Sequence, residues 1–413
     1  MMLSLNRSLF FLSCVCLNGV HRLVAAEEVK DGVCSFAPDI LTGAFGKSIP
    51  QTCIDVPLTE DGAETVERCF YSYVPESCSA EEITKAPLVL DVHGMGSCAL
   101  GSASYTGWMQ QAEEECMVVV WPSGTENPLI GGCFIVPGFL ESEDILPTEG
   151  SEVDLATLPC CCLADNMQPE TEGIDPLFLK MAIDDVVKAF EQNDDLSIDT
   201  DRIYMAGHSN GCMMSLAMAA LYSDTIAAVC CHSGSIITPF PEDYSPVPIW
   251  MLHGMADTTI PYDGVQAMTI PGIGALGFLS IDQQISYLTQ KNGCEGEGEM
   301  DVVDETGAQV GKVFKRGQCK DNANVEVVAL FDADHHPYQR SKASKSPPTV
   351  DTTAMAWEFC SAYSKAAPET SAPEPVVDVE PETEDAEESS APTSKSFSVV
   401  LALALFLGVI GAV

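Results

Sequence analysis

Across 413 residues, 61 acidic side chains stand against 19 basic ones, a formal charge of −42 at pH 7. Phosphate recognition needs clustered Lys and Arg, so this balance excludes nucleic acid as a partner. An apolar content of 46% suffices for a real core in one large domain or two.

Residues 1–26 read as a secretory signal. Arg7 gives a basic start, residues 9–20 an apolar core, and Val24-Ala25-Ala26 a small-residue cleavage site. His21 and Arg22 interrupt the run, which is short for a membrane span. Two of the 18 cysteines fall in this segment, and the 16 that remain form an even set. In an exported chain that points to disulfides. The run Cys160-Cys161-Cys162 has no histidine beside it and lacks paired C-x-x-C spacing, so it too reads as disulfide rather than metal.

Residues 67–75 are aromatic and β-branched, as a strand requires. Residues 87–92 and 116–122 are apolar runs bounded by turn residues and read as buried parallel strands. Residues 127–173 break the pattern. They form an acidic, Cys-rich insertion, read as a long loop pinned by disulfides over the top of the domain. In residues 174–193, Leu177, Leu179, Met181, Ala182, Val186, Val187 and Phe190 recur at helical spacing. Further strands are expected at 225–229, 247–252 and 325–331, and helices at 281–290 and 352–364. Strands alternating with helices predict an α/β fold with a mostly parallel sheet over residues 27–365.

From residue 366 the composition changes. Residues 366–396 are acidic and rich in Pro, Ser, Thr and Ala, too polar to fold, and read as a disordered stalk. Residues 397–413 are apolar with no basic residue following. They are expected to be a glycolipid (GPI) anchor signal or, alternatively, a C-terminal transmembrane helix. The expected location is therefore extracellular, with the domain tethered to a membrane through its C-terminal tail.

Residues 201–218 organise the rest. The apolar run 203–206 enters Gly207-His208-Ser209-Asn210-Gly211, and a Met/Leu/Ala run of helical spacing follows. That is the strand–turn–helix context of a G-x-S-x-G nucleophile elbow, with Ser209 as nucleophile. The acid should follow, then the histidine. Asp257 sits in the loop after the strand at 247–252 and is preferred to Asp263, which lies beyond Pro261. His335 and His336 both follow the strand at 325–331. His335 is the preferred general base and His336 the alternative. Two backbone amides should form the oxyanion hole, those of Asn210 and of Met95 in the loop His93-Gly94-Met95-Gly96.

Together these segments resemble the secreted feruloyl esterase and poly(3-hydroxybutyrate) depolymerase family of α/β-hydrolases. The likeness runs in order through most of residues 70–363: YSYVP, PLVLDVHGMGSC, GIDPLFLKMAIDDVV, DRIYMAGHSNGCMMSLAMA, IWMLHGMADTTIPYDG and VEVVALFDADHH. The resemblance implies an α/β-hydrolase fold and the triad Ser209, Asp257 and His335. It also implies a disulfide between Cys294 and Cys319. The chain departs from the family where Ala333-Asp334 replace a Gly-Gly pair and His336-Pro337-Tyr338 stand near a usual Trp-Pro.

The function expected is that of a serine carboxylic ester hydrolase needing neither metal nor organic cofactor. Its substrate is an ester-bearing polymer or oligomer, either a feruloylated plant or algal polysaccharide or a hydroxyalkanoate polyester. The alternative is a catalytically inactive surface binding protein on the same scaffold.

Overall fold

The structure, a computed structural model, describes residues 49–365 apart from residues 60, 81–84, 128–130, 138–172, 192–195, 271–273, 340 and 342–343. The signal segment, most of the acidic insertion, the stalk and the apolar tail lie outside the described residues. Among the described residues no helix is long and apolar enough to cross a membrane.

The strands are β1 (Gln51–Pro57), β2 (Thr65–Tyr73), β3 (Lys85–Val92), β4 (Val118–Pro122), β5 (Thr125–Asn127), β6 (Gly131–Cys133), β7 (Ser197–His208), β8 (Ala228–His232), β9 (Ile249–Gly254), β10 (Val265–Ile270), β11 (Gly274–Phe278), β12 (Gly296–Val303), β13 (Gln309–Gly317) and β14 (Val325–Leu330). The helices are α1 (Ser77–Ala80), α2 (Ala99–Tyr105), α3 (Trp108–Glu115), α4 (Ile174–Phe190), α5 (Asn210–Leu221), α6 (Ile281–Asn292) and α7 (Thr352–Cys360). Ten strands form one sheet in the order β1-β2-β4-β3-β7-β8-β9-β14-β13-β12. The block from β4 to β14 is parallel, and the pairs at each edge are antiparallel.

The centre is parallel because its strands are apolar on both faces. Leu88, Val89, Leu90 and Val92 of β3 are all fully buried, which only a sheet covered on two sides allows. One face packs on α4, α5 and α6 through Phe178, Met214 and Ile285, the other on α2, α3 and α7 through Ala103, Trp108 and Trp357. Helix α5 is buried almost all round, as its unbroken Met/Leu/Ala composition demands. Cutting a buried Trp such as Trp108 or Trp250 to Ala removes about 3–5 kcal/mol.

Disulfides tie this frame together. Among the described residues every cysteine is in a disulfide. Neighbouring residues of a strand face opposite sides of the sheet. Accordingly Cys231 of β8 is bonded to Cys212 of α5 and Cys230 to Cys360 of α7, so one strand holds a helix on each face. Cys294 and Cys319 are bonded, closing the end of α6 onto the segment before β14.

Two differences from the sequence reading have plain causes. Strand β8 covers Ala228–His232 rather than 225–229, because Thr225 and Ile226 finish the turn after α5 by donating to the Tyr222 carbonyl. The β12–β13 ribbon was not expected. Strand β12 is largely exposed and its Glu/Gly-rich sequence carries little apolar alternation, while β13 is mostly half-buried, so burial leaves little trace in the pattern.

Candidate active site

Strand β7 runs buried to His208, and the chain then turns into α5 at Ser209. Ser209 has φ 56° and ψ −118°, in left-handed territory where a non-glycine residue costs about 1–3 kcal/mol. The surroundings hold it there: its amide donates to the His232 carbonyl at 2.9 Å, and its carbonyl accepts from Cys212 and Met213. Gly211 explains the second glycine of the motif. A Cβ on it would lie 1.9 Å from the Val92 carbonyl oxygen, so the start of α5 is pressed against the end of β3.

That approach brings the loop after β3 to the serine. The α-carbon of Gly94 faces Ser209 so closely that an added Cβ would sit 3.3 Å from the serine Cβ. His93 beneath it is fully buried. Its Nε2 accepts from the Gly124 amide at 3.0 Å, so Nδ1 carries the proton and donates to the Gly94 carbonyl at 2.9 Å. Burial pushes the His93 imidazole down to about 4, consistent with this neutral form. The Gly96 and Ser97 amides are committed to the Gly132 and Gly94 carbonyls. The Met95 amide donates to no acceptor among the described residues, nor does that of Asn210 at the first helical position.

The Asn210 side chain has its own task. Its Oδ1 accepts from the Phe134 amide at 2.8 Å and its Nδ2 donates to the Phe134 carbonyl at 3.0 Å. Phe134 packs on His93 with ring centroids 4.8 Å apart. The Asp175 carboxylate, paired with Arg68, accepts from the Ile135 amide at 2.6 Å. Residues 132–137, which the sequence assigns to the acidic insertion, are thus a buried strap against the elbow: Phe134, Ile135 and Val136 are all buried.

The acid and the histidine approach from the ends of β9 and β14. Asp257 is 4% exposed. Its Oδ1 accepts from the Thr259 and Ile260 amides at 2.7 and 3.0 Å, and its Oδ2 from His335 Nδ1 at 2.7 Å. His253 Nε2 lies 3.3 Å from the same Oδ2. Burial raises the Asp257 carboxyl, but the hydrogen bonds from His253 and His335 outweigh it and hold the group well below the usual carboxylate range. His335 Nε2 then meets Ser209 Oγ at 2.9 Å. Asp263 is exposed, and His336 stands beside His335, its ring centroid 5.4 Å away, with no bond to Ser209. Asp334 shapes this loop by accepting from the His336 amide at 2.9 Å and the Lys345 amide at 2.6 Å.

All six described histidines therefore sit at the carboxyl ends of the parallel strands: His93 after β3, His208 on β7, His232 on β8, His253 on β9, and His335 and His336 after β14. His208 is buried and donates from Nε2 to the His335 carbonyl at 2.6 Å, joining the elbow to the histidine loop. Burial pushes His208 well down, and His232 down to about 3. The sequence reading missed His253, the Asn210 side chain and Asp334. Only His253 had a usable signal, a histidine four residues before the acid in His253-Gly-Met-Ala-Asp257.

The strand order from β1 to β14 with a serine on the turn after β7 is that of the α/β-hydrolases, and the chain has this fold. The family described as Phospholipase/Carboxylesterase matches residues 162–269, a stretch that includes Ser209 and Asp257. The chain is similar to feruloyl esterase D of Neurospora crassa, 27% identical over 41% of this chain and 51% of that protein. It is also similar to a bifunctional acetylxylan esterase/xylanase of Neocallimastix patriciarum, 25% identical over 48% of this chain and 23% of that one. It thus spans about half or less of the length of these relatives. Among solved structures, an acetyl xylan esterase from Aspergillus awamori aligns with TM-score 0.45 and 13% identity over 76% of this chain and 99% of that one. The likeness to feruloyl esterases expected from the sequence is borne out.

Proposed function

We propose that residues 27–365 form an extracellular serine carboxylic ester hydrolase. The observation that carries this reading is the continuous relay from Asp257 Oδ2 through His335 to Ser209 Oγ, with contacts of 2.7 and 2.9 Å. Ser209 attacks the ester carbonyl while His335 Nε2 takes its proton. The oxyanion that forms accepts from the Met95 and Asn210 amides, donors worth about 3–4 kcal/mol each in comparable sites. His335 then protonates the leaving alcohol, and water, activated by the same base, hydrolyses the acyl-enzyme. Asp257 holds the imidazole in one tautomer and stabilises the imidazolium.

The substrate class is an ester on a polymer or oligomer: a feruloylated polysaccharide, or a hydroxyalkanoate polyester. The names of the relatives, feruloyl esterase and acetylxylan esterase/xylanase, favour the polysaccharide. The disulfides across the described body support an oxidising compartment. The apolar tail at 397–413 would tether the domain to a membrane as a glycolipid-anchor signal or a transmembrane helix.

A fluorophosphonate probe tests the enzyme reading. It should label the wild type and leave Ser209→Ala unlabelled. An unlabelled wild type, or equal labelling of both, would favour an inactive binding protein. Rates on feruloyl, acetyl and hydroxybutyrate esters then separate the substrate classes.

A further inference from the structure

The Asp257 carboxylate serves two imidazoles. His335 donates to its Oδ2 at 2.7 Å, and His253 Nε2 approaches the same oxygen at 3.3 Å while bonding the Ile260 carbonyl at 2.7 Å. His253 is 1% exposed, and its Nδ1 is buried without a partner. A carbonyl can only accept, so the proton is on Nε2. That N–H donates to Ile260 O, and Asp257 Oδ2 lies 3.3 Å from the same nitrogen. The turn at residues 257–260 is closed from inside by the Thr259 and Ile260 amides on Oδ1, and from below by His253. A buried histidine is most often just a satisfied core residue. This one has its only donor on the carbonyl that closes the turn of the relay acid, with that acid's Oδ2 3.3 Å from the same nitrogen.

We propose that His253 is a positioning residue: its Nε2–H fixes the Asp257 carboxylate toward His335 and shares its charge, setting how strongly Asp257 stabilises the His335 imidazolium. The inference rests on the hydrolase reading above and adds a residue to it. Without the His253 donor the carboxylate charge falls on His335 alone, so the base holds its proton to higher pH. The other titratable groups facing this pair are His208 and His336 beside His335, Asp334 in the histidine loop, and Tyr262, whose ring lies 6.3 Å from that of His253. None of them bonds Asp257, so they remain a common background in every variant.

The test compares wild type with His253→Phe, which keeps a ring but loses the donor, and His253→Gln, whose amide can place a donor where Nε2 lies. In His253→Phe, kcat should fall roughly 10- to 100-fold, the scale of a lost hydrogen bond to a charged group. The acid limb of the kcat/KM profile should move up by about half a pH unit or more. His253→Gln should recover most of both. Proton NMR gives a readout independent of turnover: the low-field resonance of the His335 Nδ1–H bonded to Asp257 should shift in His253→Phe and return in His253→Gln. A variant that loses thermal stability but keeps the wild-type acid limb and the same low-field resonance would make His253 a core residue and overturn the proposal. Failure of the hydrolase reading looks different, with wild-type Ser209 unlabelled by fluorophosphonate while the resonance still responds to His253.

Discussion

Ser209 and His335 meet 2.9 Å apart, yet different physics positions each of them. The serine side is built from backbone. A left-handed φ at Ser209, helix α5 against the Val92 carbonyl, and the close approach of Gly94 are steric facts that leave no choice of residue at Gly211. The other side is built from polar side chains. Asp257 is held by two amides and two imidazoles, and the histidine loop is tied by the Asp334 carboxylate. Steric positioning fails all at once, whereas polar positioning degrades by degrees and responds to pH. Variants on the two sides should therefore fail differently.

The largest effect is expected on the polar side. Asp257→Asn keeps the size and part of the hydrogen bonding of the acid but favours the wrong His335 tautomer, and should lower kcat by about 10⁴-fold. The turn amides still have an acceptor in the Asn side chain, so circular dichroism should show a folded protein. Loss of fold together with activity would show that this side is as steric as the other.

Gly211→Ala is the matching change on the serine side. A Cβ 1.9 Å from a backbone oxygen cannot be absorbed by a side-chain rotation, so α5 must move off β3. The expected cost is more than about 4 kcal/mol, among the larger single-residue losses. It should appear as a lowered Tm or loss of soluble protein before any kinetic effect can be read. A folded, inactive Gly211→Ala would mean that the elbow can relax, and the contrast between the two sides would weaken.

The same contrast governs what was legible in the sequence. Steric demands leave few solutions, so Gly207-His208-Ser209-Asn210-Gly211 and the buried runs of β3, β4, β9 and β14 stood out from residue types alone. Asp257 and His335 could be singled out because they follow strands at the carboxyl edge, where an α/β sheet presents its side chains, and the structure brings them together at 2.7 Å. His253 and the Asn210 side chain were missed because their partners, Oδ2 of Asp257 and the backbone of Phe134, are set by tertiary folding rather than by spacing. Phe134 itself was hidden inside a segment whose composition reads as an exposed acidic loop. The β12–β13 ribbon was missed for the opposite reason: β12 is exposed, and nothing in its pattern reports pairing.

The smallest expected effect is the acid sensitivity of this histidine-lined edge. Above about pH 6.5 His93 and His232 are neutral whether the chain is folded or not. Burial pushes them down to about 4 and about 3 in the folded state. As pH falls below 6.5, the unfolded chain takes up protons that the folded chain refuses, and stability declines until the pH passes those lower values. Asp91 works in the opposite sense. Burial pushes its carboxyl up to about 6, so its ionised form is a cost at neutral pH that is relieved as pH falls through that value. His208, pushed well down by the same burial, adds to the loss, so the buried histidines outweigh the one carboxyl and stability declines between pH 7 and pH 5. Relief of repulsion among the many surface carboxylates comes mainly below that pH, near their own titration. Thermal melts should therefore show Tm falling between pH 7 and pH 5, with His232→Phe flattening the fall. A Tm that holds or rises over that interval would mean that the buried imidazoles are charged in the folded protein.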